Sequence, residues 1–155
     1  MVIGNTTAYR RHLPHLRRPG AMYFVTFCTV ARRELPPACR TIALDCCVYE
    51  HQRTSWLECA VVMPDHVHLI LAPFADFSLE FVVGRIKSVS ARRINAERHT
   101  KGHVWQHESF DHLLRLGESG RKKALYVCEN PVRAELADSP DDYPWIWRSW
   151  IEGKK

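Results

Sequence analysis

The sequence predicts an α+β fold, with helices packed on a sheet that is antiparallel in at least one part. Three observations predict it. Strand-like and helix-like segments follow one another in the order β–α–β–β–α–β–α. Two of the strand-like runs, WLECAVV and HVHLILA, are separated only by Met63-Pro64-Asp65, and Pro followed by Asp between apolar runs marks a turn. No linker divides the chain. The 155 residues are therefore read as one domain, 1–155, with a basic arm at 1–19 and a C-terminal tail at 131–155. Apolar residues make up 46% and charged residues 25%, as in globular proteins and unlike disordered ones. A chain of this length buries enough surface to need no disulfide staples.

Each element has a local reason. MYFVTFCTV (22–30) is aromatic and β-branched, so it reads as a strand. Pro36-Pro37 opens a helix that ACRTIALDCCVYEHQ carries to about residue 53. The two runs at 56–62 and 66–72 form a hairpin. Ser78 is placed to cap a helix reaching about residue 97. HVWQHESFDHLLR (103–115) reads as a short strand or strand pair, and Gly117 to Gly120 as a break. RKKALYVCEN (121–130) is a helix that Pro131 is expected to stop. The tail holds proline turns and Trp145, Trp147 and Trp150.

Composition narrows the function. Lys and Arg total 22 against 17 acids, a formal net charge of +5, which favours a polyanionic partner such as nucleic acid. Arg outnumbers Lys by 16 to 6, and the guanidinium fork suits phosphate better than an ammonium does. The candidates for phosphate contact are Arg10, Arg11, Arg17 and Arg18 in the arm, Arg85, Lys87, Arg92 and Arg93 in the second helix, and Lys122 and Lys123 in the last helix. No apolar run approaches the roughly 18 residues of a membrane span. The opening residues lack the apolar middle of a secretory signal. The six cysteines show no Cys-x-x-Cys spacing and sit in apolar segments, so they are expected to be reduced core thiols in a cytoplasmic protein.

Two constellations carry chemistry. On a strand, His66 and His68 share a face with Ile70, while Val67, Leu69 and Leu71 line the other, wholly apolar face. Two imidazoles two residues apart lie roughly 6.5–7 Å apart at the backbone, close enough to converge on one metal ion. The same pair also suits a solvated or hydrogen-bonded strand face. Ile70 stands where a histidine-triad hydrolase would need a third His. On the last helix, at about 100° per residue, Tyr126 falls within about 60° of Lys122, Lys123, Glu129 and Asn130. Ala124, Leu125, Val127 and Cys128 take the apolar arc. Tyr126 and Asn130 are i and i+4 and so adjoin. A phenol beside two lysines and an amide suits a nucleophile, and equally an exposed amphipathic tyrosine. His103, His107 and His112 have no ligand-like spacing. Trp105 and the tail tryptophans suit core packing more than base stacking.

VVMPDHVHLIL, followed some 60 residues later by YVCENPVRAELADSPDDYPW, resembles the single-tyrosine HUH transposases of bacterial insertion sequences, in the branch associated with repetitive extragenic palindromes (REP). YFVTFCT, IKSVSARRIN and VWQHESFDHLLR agree in order, so the resemblance spans about residues 20–147. It implies a ferredoxin-like antiparallel sheet flanked by helices, acting on single-stranded DNA at a folded hairpin. It implies that His66, His68 and Asn130 are metal ligands for Mg²⁺ or Mn²⁺ and that Tyr126 is the nucleophile, leaving a covalent 5′-phosphotyrosine. It allows a monomer or a homodimer. The tail departs from the pattern, reading WIWRSW where relatives more often have Trp-Ser-Ser. A retired relative that binds hairpins without cutting, and a metal hydrolase using water as nucleophile, stand as alternatives at this stage.

Overall fold

The computed structural model describes residues 21–114 and 119–152. β1 (Tyr23–Cys28) alternates buried and half-buried side chains, the period-2 pattern expected of a strand between two unlike layers. Helix α1 (Pro37–Tyr49) begins with Pro37, whose fixed φ suits a first turn. It ends four residues before the expected position. The Glu50 carbonyl accepts from the backbone N–H groups of Arg53, Thr54 and Ser55, and Gln52 takes a left-handed φ of 66°, so the chain turns into β2.

β2 (Ser55–Val62) and β3 (His66–Pro73) form the expected hairpin, closed by Met63 N–H donating to the His66 carbonyl at 2.7 Å. A bulge between Leu57 and Cys59 shifts their register once. Helix α2 (Leu79–Arg98) is capped as expected, with Ser78 Oγ accepting from the Phe81 N–H at 3.0 Å. β4 (Phe110–Leu113) is a four-residue strand. Helix α3 (Gly120–Cys128) is capped by Ser119, whose Oγ accepts from the Lys122 N–H.

Pro131 does not end the helical path. It sits in the first turn of a further short helix, α4 (Asn130–Arg133), where a missing N–H costs nothing. The path breaks at Glu129 and resumes. The tail then departs most from expectation. It contributes a fifth strand, β5 (Ile146–Arg148), and a closing turn, α5 (Ser149–Glu152).

The sheet runs β4-β1-β3-β2-β5, every pair antiparallel. The first four strands with α1 and α2 make the βαββαβ ferredoxin-like arrangement, and β5 extends it beside β2. Each sheet face has its own core. Tyr23, Val25, Phe27, Val67, Leu69 and Leu71 pack with Leu79, Val82, Ile86 and Ile94 of α2 and with Cys39 and Ala43 of α1. Cys59, Val61 and Ile70 pack under Ala124, Val127 and Cys128 of α3. Burying one such aliphatic side chain contributes roughly 1.5–3 kcal/mol, which makes a register slip of the hairpin costly. Leu125, expected on the apolar arc, is half exposed instead. All six cysteines are free thiols, five of them buried.

The tryptophans have partners within the molecule. Trp105 is buried edge-on against Phe27 and donates to Ser90 Oγ. Trp145 donates to Thr41 Oγ1, Trp147 packs on His51, and Trp150 lies beneath the Arg121 guanidinium. Among the described residues, no helix is long and apolar enough to cross a membrane.

Candidate active site

The antiparallel register sets Thr26 of β1 opposite His68 and Cys28 opposite His66. The two imidazoles adjoin on one face, ring centroids 4.7 Å apart and nearly perpendicular. Each ring is held through Nδ1. His66 Nδ1 lies 2.7 Å from Asp65 Oδ1, and His68 Nδ1 lies 2.8 Å from Thr26 Oγ1. With Nδ1–H donating to these oxygens, each Nε2 keeps its lone pair, the arrangement that prepares histidine for a cation. Arg32 holds the second Asp65 oxygen, Nε to Oδ2 at 3.0 Å. The loop delivering Arg32 passes through consecutive left-handed residues, Ala31 and Arg32 at φ 56° and 52°. That backbone costs on the order of 1 kcal/mol per residue, compensated by the contacts it permits.

Electrostatics favours the ligand form. Burial, then the neighbouring His66 and the Arg133 charge, lower the His68 pKa to about 3, so its ring is neutral at pH 7. Burial pushes the Asp65 carboxyl up, but hydrogen bonds from His66 and Arg32 outweigh it and hold the group below its ordinary value. An imidazole pair braced by a carboxylate and a hydroxyl, with the His68 ring neutral, is a suitable donor set for a divalent cation. Among the described residues there is no cluster of three or more His, Cys, Asp or Glu that could hold a metal.

Helix α3 covers the same sheet face as the histidines, over Ile70 and its neighbours. Tyr126 points away from that contact and is 60% exposed. A series of side chains connects it to His68. Phe24 lies 5.5 Å from the His68 ring, Lys123 Nζ lies 5.2 Å from the Phe24 ring, and the same Nζ lies 5.3 Å from the Tyr126 ring. On its other side Tyr126 carries Arg133, whose guanidinium carbon sits 4.2 Å from the ring centroid. Arg133 Nη2 donates to the Tyr126 carbonyl at 3.0 Å and to Asn130 Oδ1. His68, Phe24, Lys123 and Tyr126 thus form one continuous series, and Asn130 adjoins Tyr126 through Arg133. Lys122 is exposed, its side chain without a partner among the described residues.

A family model described as "Transposase IS200 like" matches residues 21–126, ending on Tyr126 itself. The chain belongs to this family. A candidate REP-associated tyrosine transposase of Haemophilus influenzae is 22% identical over 94 residues, covering 54% of this chain. This chain spans about half (53%) of that curated relative's length. Among solved structures, a REP-associated tyrosine transposase bound to a REP hairpin superposes with TM-score 0.67 at 20% identity, over 88% of this chain and 80% of the other. A candidate transposase from Deinococcus radiodurans R1 gives TM-score 0.47 at 23% identity, over 70% and 88%.

The basic candidates of the second helix are not brought to that face. Arg85, Lys87, Arg92 and Arg93 lie on α2, which packs on the opposite side of the sheet. Arg85 is ion-paired with buried Glu50 at 3.0 Å. Lys87 Nζ donates to the carbonyls of Gln106 and His107 and to Ser109 Oγ, and burial lowers its pKa. Arg93 reaches Cys46 Sγ, and Arg92 is exposed. Arg10, Arg11, Arg17 and Arg18 lie outside the described residues. His103 and His107 are exposed, and His112 pairs with Phe24 across β1 and β4. Besides Thr26 and Asp65, which brace the histidines, Arg133 and Arg32 escaped the sequence reading. Arg133 had an available signal, being seven residues after Tyr126 and three after Asn130, two helical spacings. Arg32 had none, since its place depends on a strained loop and a distant strand pairing.

Proposed function

We propose that this chain nicks and rejoins single-stranded DNA beside a folded hairpin, through a covalent 5′-phosphotyrosine at Tyr126. The observation that carries the reading is the braced histidine pair on the sheet face that α3, the helix carrying Tyr126, covers. The likeness to a transposase solved with a REP hairpin supports the same substrate class, a hairpin of the repetitive extragenic palindrome type.

His66 and His68 through Nε2, with Asn130 through its carboxamide oxygen, would hold Mg²⁺ or Mn²⁺. Bound there, the cation would supply positive charge to the non-bridging oxygens of the scissile phosphate. Asp65 and Thr26 keep the two rings in the donor tautomer, and Arg32 keeps Asp65 ionised. A tyrosine phenol of ordinary pKa near 10 is only about 0.1% anionic at pH 7, so ionisation costs roughly 4 kcal/mol. Lys123 and Arg133 lie against the Tyr126 ring, which sets positive charge beside the nucleophile. Attack by Tyr126 Oη forms the tyrosine–phosphorus bond and breaks the bond from phosphorus to the 3′ oxygen, which leaves as a hydroxyl after taking a proton. A 3′-hydroxyl from another end reverses the step, so the phosphodiester energy is conserved and no nucleotide triphosphate is needed.

The test is a labelled single-stranded hairpin incubated with protein and Mn²⁺, then resolved on a denaturing gel. The expected result is a protein–DNA adduct, lost in Tyr126→Phe and in His66→Ala. Hairpin binding with no adduct would instead identify a non-cleaving hairpin-binding protein. Cleavage that survives Tyr126→Phe would identify water as the nucleophile.

A further inference from the structure

Arg133 touches both groups on which the proposed chemistry turns. Its guanidinium lies over the Tyr126 ring and donates to the Tyr126 carbonyl and to Asn130 Oδ1. The side chain is exposed, and among the described residues no carboxylate pairs with it. An unneutralised guanidinium beside a nucleophile candidate is suited to bidentate contact with a phosphate. Its positive charge sits against the oxygen that a cation would need.

We infer that Arg133 gates the cation site, withholding the Asn130 carboxamide oxygen until a DNA phosphate draws the guanidinium away. The inference rests on the reading of His66, His68 and Asn130 as cation ligands. Two positive groups compete for one amide oxygen, and each raises the cost of the other nearby. A phosphodiester removes the competition because it accepts the guanidinium fork. Binding of cation and binding of DNA therefore favour each other, and by linkage the coupling is the same in both directions. The exposed Tyr126 would then meet a charged, complete site only when substrate is present. Arg133 acts on the cation through Asn130, so it is a positioning residue toward the metal.

The test measures Mn²⁺ binding by the EPR signal of the free ion, with and without a single-stranded hairpin oligonucleotide. All proteins carry Tyr126→Phe so that no strand is cut. Without DNA, Arg133→Gln should bind Mn²⁺ about tenfold more tightly than the parent, equivalent to about 1.4 kcal/mol. Arg133→Lys, which keeps the charge but not the fork, should gain less. The oligonucleotide should tighten Mn²⁺ binding in the parent and have little effect in Arg133→Gln. The gain from Arg133→Gln should vanish when Asn130→Ala is added, because the gate acts through that oxygen. A gain that persists there shows simple through-space repulsion and overturns the gate. Unchanged or weaker Mn²⁺ binding in Arg133→Gln overturns it too, while His66-dependent binding in the parent leaves the cation site standing. No His66-dependent Mn²⁺ binding in any protein overturns both readings.

Discussion

At the residue scale, the site depends on what holds each imidazole. Thr26 is the sole side-chain hydrogen-bond partner of His68 among the described residues, so it sets that ring's tautomer and rotation. Thr26→Val keeps the shape and removes the oxygen, and we expect Mn²⁺ affinity to fall about 10–100-fold, read by titration with little change in fold. The low pKa of His68, about 3, also predicts a pH dependence of stability. Between that value and the unfolded pKa near 6.5, the unfolded chain binds a proton that the folded ring refuses. Stability is therefore complete above about pH 6.5 and declines as pH falls toward 3, by at most about 1.4 kcal/mol per pH unit. His51, its pKa lowered by burial, acts in the same direction, and Asp65 adds its own loss only at lower pH. Urea unfolding in EDTA from pH 7 to pH 4 should show a steeper loss for the wild type than for His68→Asn. Parallel curves would remove the case for a buried neutral ring. The face of His66 and His68 was legible from strand periodicity alone. The contacts of Arg32 were not, because they depend on a strained loop and a distant strand pairing, while Arg133 was signalled only by its helical spacing from Tyr126 and Asn130.

At the element scale, helix α3 must hold Tyr126 near the sheet. Arg121, on its first turn, donates to Glu58 of β2 at 2.6 Å, and Trp56 Nε1 donates to the other carboxylate oxygen at 2.9 Å. Glu58 is buried and Arg121 is half exposed, so the pair is partly screened. Arg121→Ala should destabilise the chain by about 1–2 kcal/mol in urea unfolding, and should lower adduct yield by loosening the tyrosine helix. A stability change with full adduct yield would mean that α3 is held elsewhere. The hairpin was readable because Pro-Asp separates two apolar runs. The helix break at Glu129 was not, since a proline that ends one helix and one that begins the next look alike in sequence. β5 was missed for a related reason. WIWRSW has no apolar–polar alternation, and its pairing is decided by the free edge of β2, with Tyr143 fastened to the Val62 carbonyl at 2.7 Å.

At the scale of the whole molecule, one sheet separates two tasks. The α1 and α2 face carries most of the apolar core, with its charged side chains largely engaged in ion pairs and backbone contacts. The opposite face is only partly covered by α3, which leaves the histidine pair beside an exposed tyrosine. Buried and accessible surfaces are thus divided by strand alternation, first visible as His-Val-His-Leu in the sequence. On the proposed reading, Tyr126 attacks the phosphate bound beside His66 and His68. Peptide mass spectrometry after reaction with a hairpin oligonucleotide and Mn²⁺ tests it most directly. The expected result is a 5′-phosphonucleotide mass on the peptide containing Tyr126 and on no other tyrosine peptide. An adduct at another tyrosine, or a cut strand with Tyr126 unmodified throughout the reaction, would contradict it.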